Sequence, residues 1–337
     1  DTLYYDEEKK TTLGTYYNDI DCLDSNNCIG AAAMNLSWPW ARFTSDGGKT
    51  WKTVYKDTNN LELFSIDYVS KKICVISVLW GNFFISRDNC QTWEKRKLET
   101  ERDFNLMKVD FADENYGGMV TFYEYFITKD GGITWENRKL FFKDLQVKRI
   151  LDISIPAPGS IRILFDDKEE WTRYVAISNN DGEKWNYNKV TLNDKRVYQI
   201  FFLNNDTGWA VGSQMIDDNG LYKDVIHKTT DGGKTWENQL FEANRNKSGL
   251  RNVDFADENN GIAWGDWYIL RRTTDGGENW YEDTSMNQQT VITYPRAYSF
   301  INHKMIYGAL DYKNIIKYSE EPVSVINWPD ENSPLSL

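Results

Sequence analysis

The sequence predicts an all-β protein: a seven-bladed β-propeller of four-stranded antiparallel blades, built as a single domain over residues 1–337. Three observations predict it. An eight-residue box of the kind seen at Thr229–Trp236, TTDGGKTW, occurs six times. The box tryptophans Trp51, Trp93, Trp135, Trp185, Trp236 and Trp280 stand 42, 42, 50, 51 and 44 residues apart, the length of one four-stranded blade. Helical periodicity is sustained nowhere along the chain.

The box is a turn with its own chemistry. Its Asp side chain folds back onto backbone N–H groups, its glycines tolerate positive φ, and its Trp opens the next strand with a large ring to bury. In order, the boxes are TSDGGKTW (44–51), SRDNCQTW (86–93), TKDGGITW (128–135), SNNDGEKW (178–185), TTDGGKTW (229–236) and TTDGGENW (273–280). Cys90 replaces a Gly in the second. Asn180 and Lys184 replace Asp and Thr in the fourth, and Asn279 replaces Thr in the sixth. The residues assigned to this structural role are Asp46, Trp51, Asp88, Trp93, Asp130, Trp135, Asn180, Trp185, Asp231, Trp236, Asp275 and Trp280.

A second phrase, Phe, an Asp/Asn/Gly turn, then an apolar strand, begins at Phe111, Phe202 and Phe255. It reads as strands A and B of a blade, with the box closing strand C and its Trp starting strand D. The phrase returns at Tyr298 without a box. The expected blades are therefore roughly 12–56, 57–98, 103–142, 145–192, 196–241, 247–285 and 291–327, with a terminal strand closing the ring (residues near 323–327 or Thr2–Tyr5).

Composition narrows the function. The 337 residues include 14 Trp, 20 Tyr and 16 Phe, enough for a large core, and 7 Pro with no biased tract. A net charge of −12 argues against nucleic-acid or anionic-membrane binding, and no apolar run reaches membrane-spanning length. Neither a cofactor nor a metal is expected, because there is no Cys-x-x-Cys and only two His. Four cysteines fit two local disulfides, Cys22 with Cys28 and Cys74 with Cys90, and so an oxidising compartment. The chain starts Asp1-Thr2 rather than Met, which reads as a mature or trimmed terminus of an extracytoplasmic protein, periplasmic, cell-surface or secreted. A lipid anchor or a place in a larger assembly stays open.

The boxes, combined with the phrase F-x-D-x-x-x-G, resemble the Asp-box (BNR) repeat proteins. The pattern is most similar to the photosystem II stability/assembly factor family and its relatives outside photosynthesis, from about Tyr16 to Ser319. The resemblance implies a ring that holds an acidic or terminal peptide segment on basic surface. Sialidases and xyloglucan hydrolases carry the same box, so the motif specifies fold before function.

Strand parity locates the candidate site. The boxes and A–B turns share one face, so the B–C turns and D–A connections form the other, where variable loops meet the central funnel. An aromatic set collects there: Trp38, Trp40, Trp80, Tyr123, Tyr125, Trp171 and Trp267, rings suited to sugar faces or a partner's side chains, or else to packing between blades. Arg149, Arg196, Arg251 and Arg296 stand at strand A in successive blades and would make an anion site, unless each pairs with a local acid such as Asp152 or Asp254. No catalytic residue is assigned. Adjacent acids such as Asp166/Asp167 point apart on a strand, and neither a nucleophile elbow nor a phosphate loop is present. The expected function is a non-catalytic scaffold for a protein, peptide or glycan partner; the alternative is a glycoside hydrolase of sialidase or glucanase type acting on an extracellular glycan.

Overall fold

The computed structural model describes residues 4–6, 11–13, 15–34, 39–56, 62–100, 108–168, 172–190, 195–216, 222–244, 249–265, 269–283, 297–302, 305–309, 315–319 and 324–326. Every described sheet is antiparallel, and strands follow chain order within each. Blade 1 (15–56), blade 2 (63–97), blade 3 (108–138), blade 4 (147–189), blade 5 (195–244) and blade 6 (250–282) each have four strands, with a box between the third and fourth.

The seven-bladed count is corrected by this architecture: six blades of the repeating kind are present. The four-stranded sheet that follows, Ala297–Asn302, Met305–Ala309, Ile315–Ser319 and Ser324–Ile326, is not another copy of that unit. Its third and fourth strands are joined by Glu320-Glu-Pro-Val323, which has neither the aspartate nor the glycines that a box needs. This sheet closes the ring onto blade 1 from its own consecutive strands. Cys22 N–H donates to Ser299 Oγ at 3.1 Å, the Tyr307 hydroxyl to Ser25 O at 3.2 Å and Lys317 Nζ to Gly47 O at 3.0 Å. The N-terminal strand Tyr4–Asp6 pairs with Thr11–Leu13 in a separate hairpin.

Blades pack face to face, so their middle strands are buried on both sides. Ile73–Val78, Ser160–Asp167 and Arg173–Ser178 are buried throughout, whatever their side-chain alternation. The outermost strands turn charge to solvent, as in Glu94–Lys97 and Glu136–Arg138, which blunts the exposed sheet edges. Box indoles lie in or against the interblade cores. Trp135 meets Phe83 of blade 2 edge-on at 5.6 Å, and Trp185 meets Tyr125 of blade 3 at 5.5 Å.

Of the two expected disulfides, one is formed. Cys22 and Cys28 are the last pair of the first hairpin ladder, with Cα atoms 4.0 Å apart, and are bridged. Cys74 and Cys90 are unbridged buried thiols, which corrects the second pairing. Cys90 instead occupies a glycine place of its box at φ +61°.

Candidate functional site

The box end of the ring is closed chemistry. Asp231 Oδ1 accepts from the Thr229 hydroxyl (2.8 Å) and from the N–H groups of Lys234 (3.0 Å) and Thr235 (2.9 Å), while Oδ2 accepts from the Thr235 hydroxyl (2.7 Å). Burial is the largest single influence and pushes its carboxyl up, but the bonds from Thr235, Thr229 and Lys234 together outweigh it and hold the group at about 2. Asp46 is also held at about 2, chiefly by the Thr50 hydroxyl and N–H. In the fourth box Asn180 Oδ1 takes the same place, accepting from the Ser178 hydroxyl and Lys184 N–H. The turn then donates outward to the A–B turn of its own blade, as in Gly232 N–H to Asp206 O at 2.8 Å. Neighbouring blades add cations: Arg87 donates to Gly131 O (2.8 Å), buried Arg162 to Gly232 O (3.1 Å) and Lys228 to Gly276 O (2.9 Å). These acceptors are consumed in holding blade to blade.

The central channel is lined by the innermost strands, and the sequence reading missed its character. A cavity of about 350 Å³ is walled by Asp19, Asp21, Asp67, Asp110, Asp152 and Asp254, with Lys108 the one cation among its described lining residues. Each carboxylate accepts a backbone N–H from the next sheet round the ring. Asp19 takes Ile66 (2.8 Å), Asp67 takes Phe111 (2.5 Å), Asp110 takes Ile155, Asp152 takes Ile200 (2.9 Å) and Asp254 takes Phe300 (3.3 Å). Gln199 and Ser299 fill the remaining links to Val253 and Cys22. Burial drives these acids up, to about 6 for Asp110 and about 7 for Asp152 and Asp254, and Asp67 is raised further by its neighbours Asp110 and Asp21. Burial pulls on Lys108 in the other direction, but Asp19, Asp152, Asp110 and Asp21 outweigh it and raise it. A legible signal existed: Asp21, Asp67, Asp110 and Asp254 each stand directly before the first residue of the A–B phrase or its counterpart.

At the opposite end from the boxes, the structure brings three of the four predicted arginines to neighbouring blades. Arg149 Nε donates to buried Asp166 at 2.6 Å, and Arg173 pairs with the other oxygen of the same carboxylate. Arg173 and Arg251 lie over the Tyr198 ring, 5.8 and 4.2 Å from its centroid. Arg196 and Arg251 are exposed. Asp152 and Asp254 serve the channel rather than these arginines. Arg173 and Tyr198 are additions to the predicted set; Tyr198 is two residues along the strand from Arg196. Arg296 lies outside the described residues.

The aromatic set divides. Trp80 and Tyr123 are each 47% exposed in the B–C turns of blades 2 and 3. Trp40 and Tyr125 are buried, Trp40 under the Arg42 guanidinium and Tyr125 against Trp185, so these two rings serve packing. Trp38, Trp171 and Trp267 lie outside the described residues. Phe141, 79% exposed in the connection from blade 3 to blade 4, was not predicted. No group of three or more metal-ligating side chains occurs among the described residues, and no described helix is long and apolar enough to cross a membrane.

Residues 176–290 match the family model of the photosynthesis system II assembly factor YCF48, and residues 126–137 match that of the BNR/Asp-box repeat. No curated protein sequence matches the chain. Among solved structures, YCF48 bound to D1 peptide is similar with a TM-score of 0.65 and 14% identity, over 90% of this chain and 93% of that one. YCF48 from Cyanidioschyzon merolae gives 0.64 and 16%, over 91% and 96%. The GH74 xyloglucanase from Xanthomonas campestris gives 0.61 and 13%, over 93% of this chain and 54% of that one. The chain is an Asp-box repeat propeller similar to the photosystem II assembly factor; at these identities the structural likeness is one of fold.

Proposed function

We propose that this protein is a non-catalytic, extracytoplasmic scaffold that holds a protein or peptide segment on the face opposite its boxes. One observation carries the reading. Of the six large apolar side chains that are exposed among the described residues, four (Trp80, Tyr123, Phe141 and Ile216) lie in B–C turns or D–A connections, the same end as Arg149, Arg196 and Arg251. Exposed rings and guanidinium groups gathered at one end are what protein recognition uses, and a closed ring presents them with little ordering cost. The peptide carried by one structurally similar YCF48 supports the same kind of partner, and the Cys22–Cys28 bridge supports an oxidising location. A hydrolase reading gains no specific observation, since the channel carboxylates are engaged by backbone N–H groups.

Pull-down from the source cells with wild-type protein beside an Arg149→Glu/Arg196→Glu/Arg251→Glu variant tests the proposal. A partner retained by the wild type and lost by the variant is the expected result. Turnover of sialosides or glucans that is lost in the variant would overturn it.

A further inference from the structure

Arginines and exposed aromatics share one end of the ring, yet they do not intermingle. Arg149, Arg173, Arg196, Tyr198 and Arg251 belong to blades 4, 5 and 6, whereas Trp80, Tyr123 and Phe141 belong to blades 2 and 3 and the link into blade 4.

The aromatic half is built, not incidental. Trp80 is held at φ +58° and ψ +42°, a left-handed backbone that a bulky side chain rarely adopts, and its ring is left in solvent. Its turn is clamped on every side: Leu79 N–H donates to Glu62 O (3.2 Å), Leu98 N–H to Gly81 O (2.8 Å) and Asn82 Nδ2 to Leu79 O (2.8 Å). The Tyr123 turn is fixed in the same way. Thr121 Oγ1 accepts from the Tyr123 and Glu124 N–H groups, and Phe122 O accepts from Ile150 N–H of blade 4 at 2.7 Å. Two solvent-facing rings on braced turns are pre-organised anchors.

Resting on the scaffold reading above, we propose that this face is bipartite and holds one extended polypeptide segment. Apolar or aromatic residues of the segment lie over Trp80 and Tyr123, and its acidic residues lie over Arg196 and Arg251. Charge complementarity fixes the acidic half, and the exposed rings of Trp80, Tyr123 and Phe141 assign the other half to apolar side chains.

Fluorescence anisotropy with three synthetic labelled peptides tests this: one joining a Leu/Phe block to a Glu block, one with the Glu block and serines, one with the Leu/Phe block and serines. The joined peptide is expected to bind about ten-fold tighter than either half. Trp80→Ala and Tyr123→Ala should each weaken the joined peptide by about five- to ten-fold and leave the Glu peptide unaffected, with Trp80→Phe restoring most of the loss. Circular dichroism checks that the variants are folded. If the Trp80 and Tyr123 variants bind the joined peptide as the wild type does while Arg251→Glu abolishes binding, the bipartite inference falls and the scaffold reading stands. If no peptide binds, or Arg251→Glu changes nothing, both fall.

Discussion

Asp231 and Asp152 use the same side chain as a hydrogen-bond acceptor in two regions of one ring, and their carboxyls move in opposite directions. In the box, four donors converge on Asp231 at the surface and hold it at about 2. In the channel, Asp152 is buried among like charges; the Lys108 ammonium and the Ile200 N–H do not offset the lost water, and it rises to about 7. The number of donors and access to water decide the outcome. The box is a stabilising anion site already filled by its own carboxylate, whereas the channel stores repulsion that one lysine relieves.

The strongest way to break this comparison is Lys108→Met. It leaves the surrounding carboxylates without a cation and should cost roughly 3–5 kcal/mol at pH 8, and much less at pH 5, where those carboxyls hold protons. Urea denaturation at the two pH values measures it; an equal loss at both would show that the channel charge is not the cause.

Next in size is the pH dependence of the unaltered protein. Channel carboxyls are raised in the folded state to about 6 or 7, so above their unfolded value near 3.8 the native chain holds protons that the unfolded chain has released. Their contribution is fully present below about 4 and is lost as pH rises toward 7. Box carboxyls at about 2 act in the opposite sense, stabilising above about 4 and failing as pH falls toward 2. Melting temperature is therefore expected to be higher near pH 5 than at pH 8; a rising profile across that range would count against the channel account.

Smaller effects sharpen it. Asp231→Ala removes the acceptor for four donors and should cost about 1–2 kcal/mol by urea denaturation at neutral pH. Asp152→Asn keeps an oxygen for the Ile200 N–H while removing a buried charge, so at pH 8 it should lie within about 1 kcal/mol of wild type and flatten the pH profile. Smallest of all, Asp231→Asn should cost under about 0.5 kcal/mol, because Asn180 already does this work in the fourth box.

Much of the fold was legible because a box is local. Thr229 through Trp236 contain the carboxylate, its donors and the glycines at φ +78° and +92°, so eight residues specify one turn. The last sheet was harder: its strands are legible in the pattern after Tyr298, and the missing box was the one local sign that it differs in kind from the six before it. Within the candidate site, the common place of Arg149, Arg196 and Arg251 at the innermost strand is legible in the sequence and kept in the structure. Trp40 and Tyr125 were misassigned because an aromatic at a strand start reads alike whether it faces a neighbouring blade or water. Phe141 was missed because nothing in its immediate sequence distinguishes it from buried Phe142 beside it.

The sequence by itself determined the repeating turn, the four-strand period and the end of the ring where loops gather, since each depends on contacts a few residues apart. Tertiary structure alone decided which aspartates became buried acceptors, which rings were left in water and that Arg173 joined Arg149 on one carboxylate. Those outcomes depend on which face of one sheet lies against the next, across separations such as the 48 residues between Asp152 and Ile200. Burial and its desolvation cost arise only when that second surface arrives.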